Sequence, residues 1–90
     1  MKSNKAIALR IKALLKEMRM TQYRLAVRSG IPHATLNNIM QETIEDSLLS
    51  TIIKLSNGFD MEPWEFLMDP LFTEVAKELF VEDMKKRGDY

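Results

Sequence analysis

The chain has 90 residues, of which 46% are hydrophobic and 29% charged, a composition typical of one folded domain or one domain with an appendage. It contains no cysteine, which excludes disulfides, thiolate metal sites and a cysteine nucleophile. No segment approaches the roughly 20 apolar residues of a membrane span. Arg10 interrupts the first apolar run, so we predict no signal peptide and expect a cytoplasmic protein.

The net charge of zero conceals an uneven distribution along the chain. Up to Met40 the sequence has eight Lys or Arg and one acidic residue, a net charge of +7. From Gln41 onward it has five basic and twelve acidic residues, a net charge of −7. A single short charge run is usually solvated surface, but a basic stretch of this length indicates a face for a polyanion.

Ser3 or Asn4 is predicted to cap the start of the first helix. Its apolar residues fall at i, i+4, i+7, i+8 and i+11, which is the stripe of an amphipathic helix: Ile7, Ile11, Leu14, Leu15 and Met18. A basic amphipathic helix can also lie on an anionic membrane. Further helices with matching apolar faces follow immediately, which favours a helical bundle.

Two short helices follow, joined by a tight turn. Thr21 is predicted to cap the first of them, and Gly30 to end it with a positive φ angle. Pro32 suits the first turn of the second helix. Their predicted inward residues are Leu25, Ala26, Leu36, Ile39 and Met40. This pattern predicts two helices that share a core and leave a polar face exposed.

The second half of the sequence predicts three more helices. One begins near Leu48 and is closed by Asn57-Gly58; a short one opens at Glu62-Pro63; the last begins at Asp69-Pro70 and ends at Gly88. We expect the aromatic and methionine residues at helical spacing, such as Trp64, Phe66 and Met68, to be core. The fold class is therefore all-α. We divide it into residues 1–68 and an amphipathic C-terminal helix, 69–90, which either forms a dimer interface or packs on its own bundle.

Residues 7–67 carry a more specific pattern. Thr21-Gln22, Leu25-Ala26, Gly30 and Leu36-x-x-Ile39 stand at a spacing that resembles the Cro and phage-repressor type of helix-turn-helix. Thr51-Ile52-Ile53-Lys54-Leu55, leading to Phe66-Leu67, is also similar to that family. The resemblance implies a lambda-repressor-like five-helix bundle that binds double-stranded DNA, usually as a homodimer. The helix from residue 69 is additional to it.

The resemblance also implies which residues contact DNA. The positions of His33, Ala34 and Asn38 correspond to base-reading positions, and that of Gln22 to a phosphate contact. From the residues themselves, Asn38 suits adenine and Ala34 a thymine methyl, since a helix in the major groove meets base edges near its N-terminal end. Weaker phosphate candidates are Thr35, Asn37 and Gln41; basic candidates are Arg24, Arg28, Arg10 and Lys12.

This sequence departs from the family pattern at two places. Leu15 and Met40 occupy positions where many members hold a buried Arg–Glu pair, an apolar exchange that need not weaken the fold. After the predicted recognition helix, residues 42–47 include three acids where the family usually has glycine and a basic stretch. If this acidic loop approaches phosphate, it opposes DNA binding; otherwise this edge faces a protein.

The leading hypothesis is a sequence-specific transcriptional regulator, acting as a repressor. The alternative is a protein-interaction module of the same fold, such as an antitoxin or antirepressor, whose acidic half binds a basic protein. An enzyme is the weakest interpretation, because no catalytic constellation can be assembled. We expect no cofactor and no metal site, since His33 is the single histidine and has no cysteine to accompany it.

Overall fold

A computed structural model describes residues 1–88, in which the chain forms six α-helices and no strand. The helices are α1 (Ser3–Glu17), α2 (Gln22–Ser29), α3 (His33–Met40), α4 (Leu49–Gly58), α5 (Pro63–Leu67) and α6 (Pro70–Arg87). This order confirms the predicted all-α class, with five helices followed by an additional sixth.

Most helix ends lie where the sequence predicts a cap, but the N-cap residue of α1 is Lys2 and not Ser3 or Asn4. The Thr21 hydroxyl accepts a hydrogen bond of 3.1 Å from the Arg24 amide at the start of α2. The Asp69 carboxylate accepts one of 2.9 Å from the Leu71 amide at the start of α6. Gly30, with φ at 73°, ends α2. These contacts satisfy amide groups that have no partner inside a helix.

The core is formed by one face of each of the first five helices. Helix α2 packs against α3 and α4, α1 packs against α3 and α6, and α4 packs against α5. The largest fully buried apolar side chains are Ile11, Leu25, Leu36, Leu55, Phe59 and Phe66. Leu15 and Met40, at the positions of the family's ion pair, are partly buried and pack against this core. An apolar contact therefore stands where a charged pair would need desolvation.

Gly58 is the last residue of α4, which confirms the predicted end of this helix, and the left-handed conformation follows two residues later at Asp60, with φ at 56°. A Cβ atom on Gly58 would lie 2.7 Å from Leu25 Cδ1 and 3.0 Å from Ser29 Cβ. The missing side chain allows α4 to approach α2 closely.

Several residues expected in the core are exposed. Phe66 is buried as predicted, but Trp64 is 63% exposed and Met68 is 72% exposed. Leu48 and Leu49, at the start of α4, are exposed as well. Helix α5 has only five residues and buries a single side chain, so its short length leaves its other apolar residues outside.

Candidate nucleic-acid interface

The turn between α2 and α3 is held by local hydrogen bonds around a buried serine. The Gly30 amide donates to the Ala26 carbonyl at 3.0 Å. The Ser29 hydroxyl donates to the same carbonyl and accepts from the Ile31 amide, both at 3.3 Å. Ile31 is buried, which anchors the chain between the two helices. The angle between α2 and α3 is thus set by buried contacts, so α3 projects from a rigid support.

Helix α3 has one buried and one outward face. Leu36 and Ile39 are buried, and Met40 is half-buried. At 100° per residue, the side chains directed furthest from that buried face are those at i, i+4 and i+7: Ala34, Asn38 and Gln41. All three are exposed. The outward face is therefore small and polar, without a charged residue.

The other sequence-predicted residues of α3 lie beside this face. His33 and Thr35 are exposed, and Asn37 is half-buried. His33 is the first residue of the helix, and Pro32 precedes it as the N-cap residue, so Pro32 is not inside the first turn as predicted. The structure thus places Ala34 and Asn38 on one outward face of α3, with His33 exposed beside it.

Helix α2 contributes a second set of exposed side chains. Gln22 is half-buried at its first position, while Arg24 and Arg28 are exposed. Five residues separate Tyr23 from Arg28, which rotates them roughly 140° apart around the helix. Because Tyr23 lies beside α3, Arg28 is on the flank of α2 directed away from it.

Tyr23 is a surface residue that the sequence-based assignment omitted. Its ring is 68% exposed, and its centroid lies 6.2 Å from that of His33, with the ring planes inclined by 46°. The available sequence signal was an aromatic residue directly after Gln22, the predicted phosphate contact. Its proximity to His33 depends on how α2 and α3 pack, which residue spacing alone does not specify.

Arg10 is a correction to the predicted phosphate contacts. Its Nε donates to the Phe66 carbonyl at 2.7 Å, and its Nη2 donates to the Glu65 carbonyl at 2.8 Å. Its Nη1 lies 3.5 Å from the Asp69 carboxylate, and its side chain is only 14% exposed. The guanidinium group is occupied at the α5–α6 junction, so it is not available to a phosphate. Lys12, by contrast, is exposed on α1.

The acidic loop, residues 42–47, is attached to the start of α1. The Asn4 side-chain amide donates to the Glu42 carbonyl at 3.3 Å, and the Ser3 hydroxyl donates to the Asp46 carboxylate at 3.2 Å. Glu45 and Asp46 line a cleft of about 260 Å³ between the start of α1 and α6. Two of the three loop acids therefore border that cleft, and Glu42 alone directly follows α3.

Glu42 is also conformationally strained. Its φ angle is 61°, a left-handed conformation that disfavours side chains with a Cβ atom. Its amide donates to the Ile39 carbonyl and the Thr43 amide donates to the Asn38 carbonyl, both at 3.1 Å. This pair of bonds is a Schellman motif, in which glycine is the usual residue.

Replacing Glu42 by glycine is expected to raise the free energy of unfolding by about 0.5–1 kcal/mol, because it removes the left-handed strain. Urea denaturation followed by circular dichroism measures the change. Glu42→Ala is the matched control, since it removes the same charge and keeps the Cβ atom. An equal gain in both variants would show that charge, and not backbone conformation, limits stability here.

The buried support and outward polar helix define a helix-turn-helix domain of the DNA-binding class. A family model described as the Cro/C1-type HTH DNA-binding domain matches residues 10–70, about two-thirds of the chain. The chain therefore belongs to this family, as the sequence motifs predicted. No curated protein and no solved structure matches it.

Two further features of the described residues bear on partners. Within residues 1–88, no helix is long and apolar enough to cross a membrane. The same part of the chain holds no group of three or more His, Asp or Glu side chains arranged to bind a metal ion.

Proposed function

We propose that this protein is a sequence-specific transcriptional regulator that represses by occupying promoter DNA with α3 in the major groove. The observation that carries the proposal is the outward face of α3, where Ala34, Asn38 and Gln41 are exposed on the side opposite Leu36 and Ile39. An α-helix fits the major groove, where each base pair presents a distinct set of donors and acceptors. A cytoplasmic location is part of this proposal, because the partner is DNA.

Three residues are assigned to base contacts. The Asn38 side-chain amide has the donor and acceptor pair that adenine requires for a bidentate contact. Ala34, one turn earlier, offers a methyl group to a thymine methyl. His33 can donate to a guanine or to a phosphate at the edge of the site. These roles give α3 a short sequence preference that depends chiefly on Asn38.

Phosphate contacts position α3 in the groove. We assign Gln22 and Arg24 to them first, because both belong to the helix that supports α3 and come early in it. Thr35, Asn37, Gln41 and Lys12 form a second group. Arg28 remains in the proposal as a second cation, one turn after Arg24 on the same face of α2.

Tyr23 is also assigned to the proposed interface because it lies beside His33. Its exposed ring neighbours His33, so it limits the orientations available to the imidazole. Its hydroxyl is a donor that suits a phosphate oxygen. Tyr23→Phe would remove the donor alone, whereas Tyr23→Ala would also remove the support for His33.

The DNA site is proposed to be a pseudo-palindrome bound by a homodimer. Two recognition helices of a symmetric dimer meet the major groove one helical turn, about 34 Å, apart. Selection of bound duplexes from a random pool at a stated salt concentration tests this proposal. A palindromic consensus supports it. Absence of measurable binding at low salt would instead favour a protein-interaction module such as an antitoxin or antirepressor.

Asn38→Ala and Arg24→Ala are expected to affect DNA binding differently. Loss of the base contact should cost roughly 1–3 kcal/mol on the selected site and relax preference at one base pair. Loss of the cation should weaken binding to all sequences and reduce the slope of log affinity against log salt concentration by about one. Titrations of specific and unrelated duplexes at several salt concentrations measure both effects. Identical, sequence-independent losses would contradict the assigned roles.

A further inference from the structure

Helix α6 extends beyond the bundle that supports its first turns. It has 18 residues, which corresponds to about 27 Å of helix. Val75 is its one buried residue, and Phe72 is partly buried against the core. The principal dimensions of the molecule are 46 × 23 × 20 Å, so it is elongated. The second half of α6 therefore has little support from its own chain.

Large apolar side chains are exposed on this second half. Leu79 is 58% exposed, Phe80 is 64% exposed and Val81 is 49% exposed. Phe80, Val81 and Met84 line a shallow apolar cleft of about 190 Å³. On helical spacing, Phe80 and Met84 lie well around the helix from Phe72 and Val75, which face the bundle. Helix α6 thus has a packed apolar side and a second, exposed one.

We propose that a second copy of this chain covers the exposed side, with the two α6 helices crossing antiparallel near Phe80. This inference rests on the proposed homodimer and identifies its interface. A single unsupported helical segment of this length is marginally stable in water, so burial of its apolar side against another helix stabilises it. Helix α6 lies almost wholly beyond the family match, which ends at residue 70.

The charges along α6 favour a second copy in the antiparallel direction. Glu74 and Glu78 precede Phe80, and the last turn holds Lys85, Lys86 and Arg87. In a parallel pair, the basic last turns of both helices would lie side by side and repel. In an antiparallel pair centred near Phe80, Glu74 lies beside the partner's Lys85, and the contact occurs twice by symmetry. The Glu74 and Lys85 positions are therefore complementary in the antiparallel direction.

The local geometry agrees with this pairing. Glu74, Lys77, Glu78, Val81 and Lys85 line the same shallow groove along α6. Glu74 and Lys85 therefore lie on one flank of the helix, and an antiparallel twofold axis brings equivalent flanks together. Arg87 is paired within its own helix to Asp83 at 2.7 Å, so Lys85 is the exposed cation on the flank that meets Glu74.

Sedimentation equilibrium of the full chain without DNA tests the interface. We expect a dimer, and we expect Phe80→Glu to raise its dissociation constant about 100-fold or more, since one substitution buries two charges at the centre of the interface. Phe80 is exposed in the single chain, so this variant should keep its circular dichroism spectrum apart from fraying of the last turns.

Leu49→Glu is the matched control, because Leu49 is also exposed, at 70%, but lies on α4. Its dissociation constant should remain within about twofold of the unmodified protein. The proposal is overturned if the unmodified chain is a monomer at about 100 μM, well above the affinity range of specific dimers. It is also overturned if Leu49→Glu separates the dimer and Phe80→Glu does not.

A charge exchange tests the antiparallel direction. Lys85→Glu should weaken the dimer about tenfold, because it replaces two attractive contacts by two repulsive ones. Adding Glu74→Lys to the same chain should restore most of the lost affinity. If the double variant is as weak as the single variant, the proposed direction is wrong.

DNA binding distinguishes failure of this inference from failure of the proposed function. Phe80→Glu should still bind a single half-site as the unmodified chain does, and should lose the added affinity of a two-half-site duplex. A monomer that binds a half-site would overturn the interface and leave the DNA-binding function intact. A dimer with no affinity for any duplex would support the interface and contradict the DNA-binding function.

Discussion

Replacing Arg10 by alanine is expected to lower the free energy of unfolding by about 3 kcal/mol, even though the sequence suggests a surface cation. The guanidinium group donates to the carbonyls of Glu65 and Phe66, near the end of α5. It also approaches the Asp69 carboxylate and lies 5.9 Å from the centroid of the Phe66 ring. Alanine would remove the side-chain donor of both carbonyls and the cation beside a half-buried carboxylate, which would keep only its bond from the Leu71 amide.

Urea denaturation of Arg10→Ala and Lys12→Ala separates this role from that of an ordinary surface cation. Lys12 is exposed on the same helix, so its replacement should change stability by no more than about 0.5 kcal/mol. Arg10→Lys should recover only part of the loss, because an ammonium group cannot reproduce the planar fork of donors. Unchanged stability of Arg10→Ala, with weaker binding to every duplex, would restore the original phosphate assignment.

Gly58→Val is expected to destabilise the protein by about 3 kcal/mol through overpacking between α4 and α2. The Leu25 side chain can move away from a new Cβ atom, but the Ser29 backbone nitrogen, 3.3 Å from it, cannot move independently. Ser29 also holds the turn before α3 through its hydroxyl. We therefore expect weaker DNA binding at temperatures where the variant is still folded.

Asn57→Val controls for the effect of a branched side chain in α4. Asn57 precedes Gly58 in the same helix and is exposed, so it receives the same branched side chain without the steric contact. Its change should be about 0.5 kcal/mol. Similar losses in both variants would show that helix propensity, and not the approach of α4 to α2, accounts for the effect. Thermal unfolding by calorimetry measures the difference.

The sequence predicts helix ends well where a single residue determines them. Thr21, Gly30, Asp69 and Gly88 act as caps in the structure because capping depends on hydrogen bonds and φ angles within a few residues. Gly58 ends α4 as predicted, but the requirement for a glycine there comes from the close approach of α2, about 30 residues earlier in the chain.

Long-range contacts explain the other differences. Arg10 was predicted to contact DNA phosphates because the carbonyl groups that it binds, in Glu65 and Phe66, are 55 and 56 residues away in the sequence. Trp64 and Met68 looked like core because apolar residues at helical spacing usually are, yet α5 is too short to bury more than Phe66. Periodicity identifies which residues share a face, and packing of the whole chain decides whether that face is covered.

The exposure of the α3 candidates could be predicted from the sequence, because the outward positions follow from two buried residues, Leu36 and Ile39, and from helical geometry. On α2, sequence spacing groups Arg24 with Arg28 and omits Tyr23. The position of His33 beside Tyr23 identifies the flank of α2 near α3, and both arginines are directed away from Tyr23.

The hydrogen bonds of Arg10 also set the direction in which α6 leaves the bundle. They join α1, which packs directly on α3, to two residues of α5 and to the N-cap of α6. If α6 pairs with a second copy, this junction fixes the distance between the two recognition helices of the dimer. Such a protein would measure the distance between half-sites: inserting a few base pairs between them should abolish joint binding, while a flexible junction would tolerate the insertion.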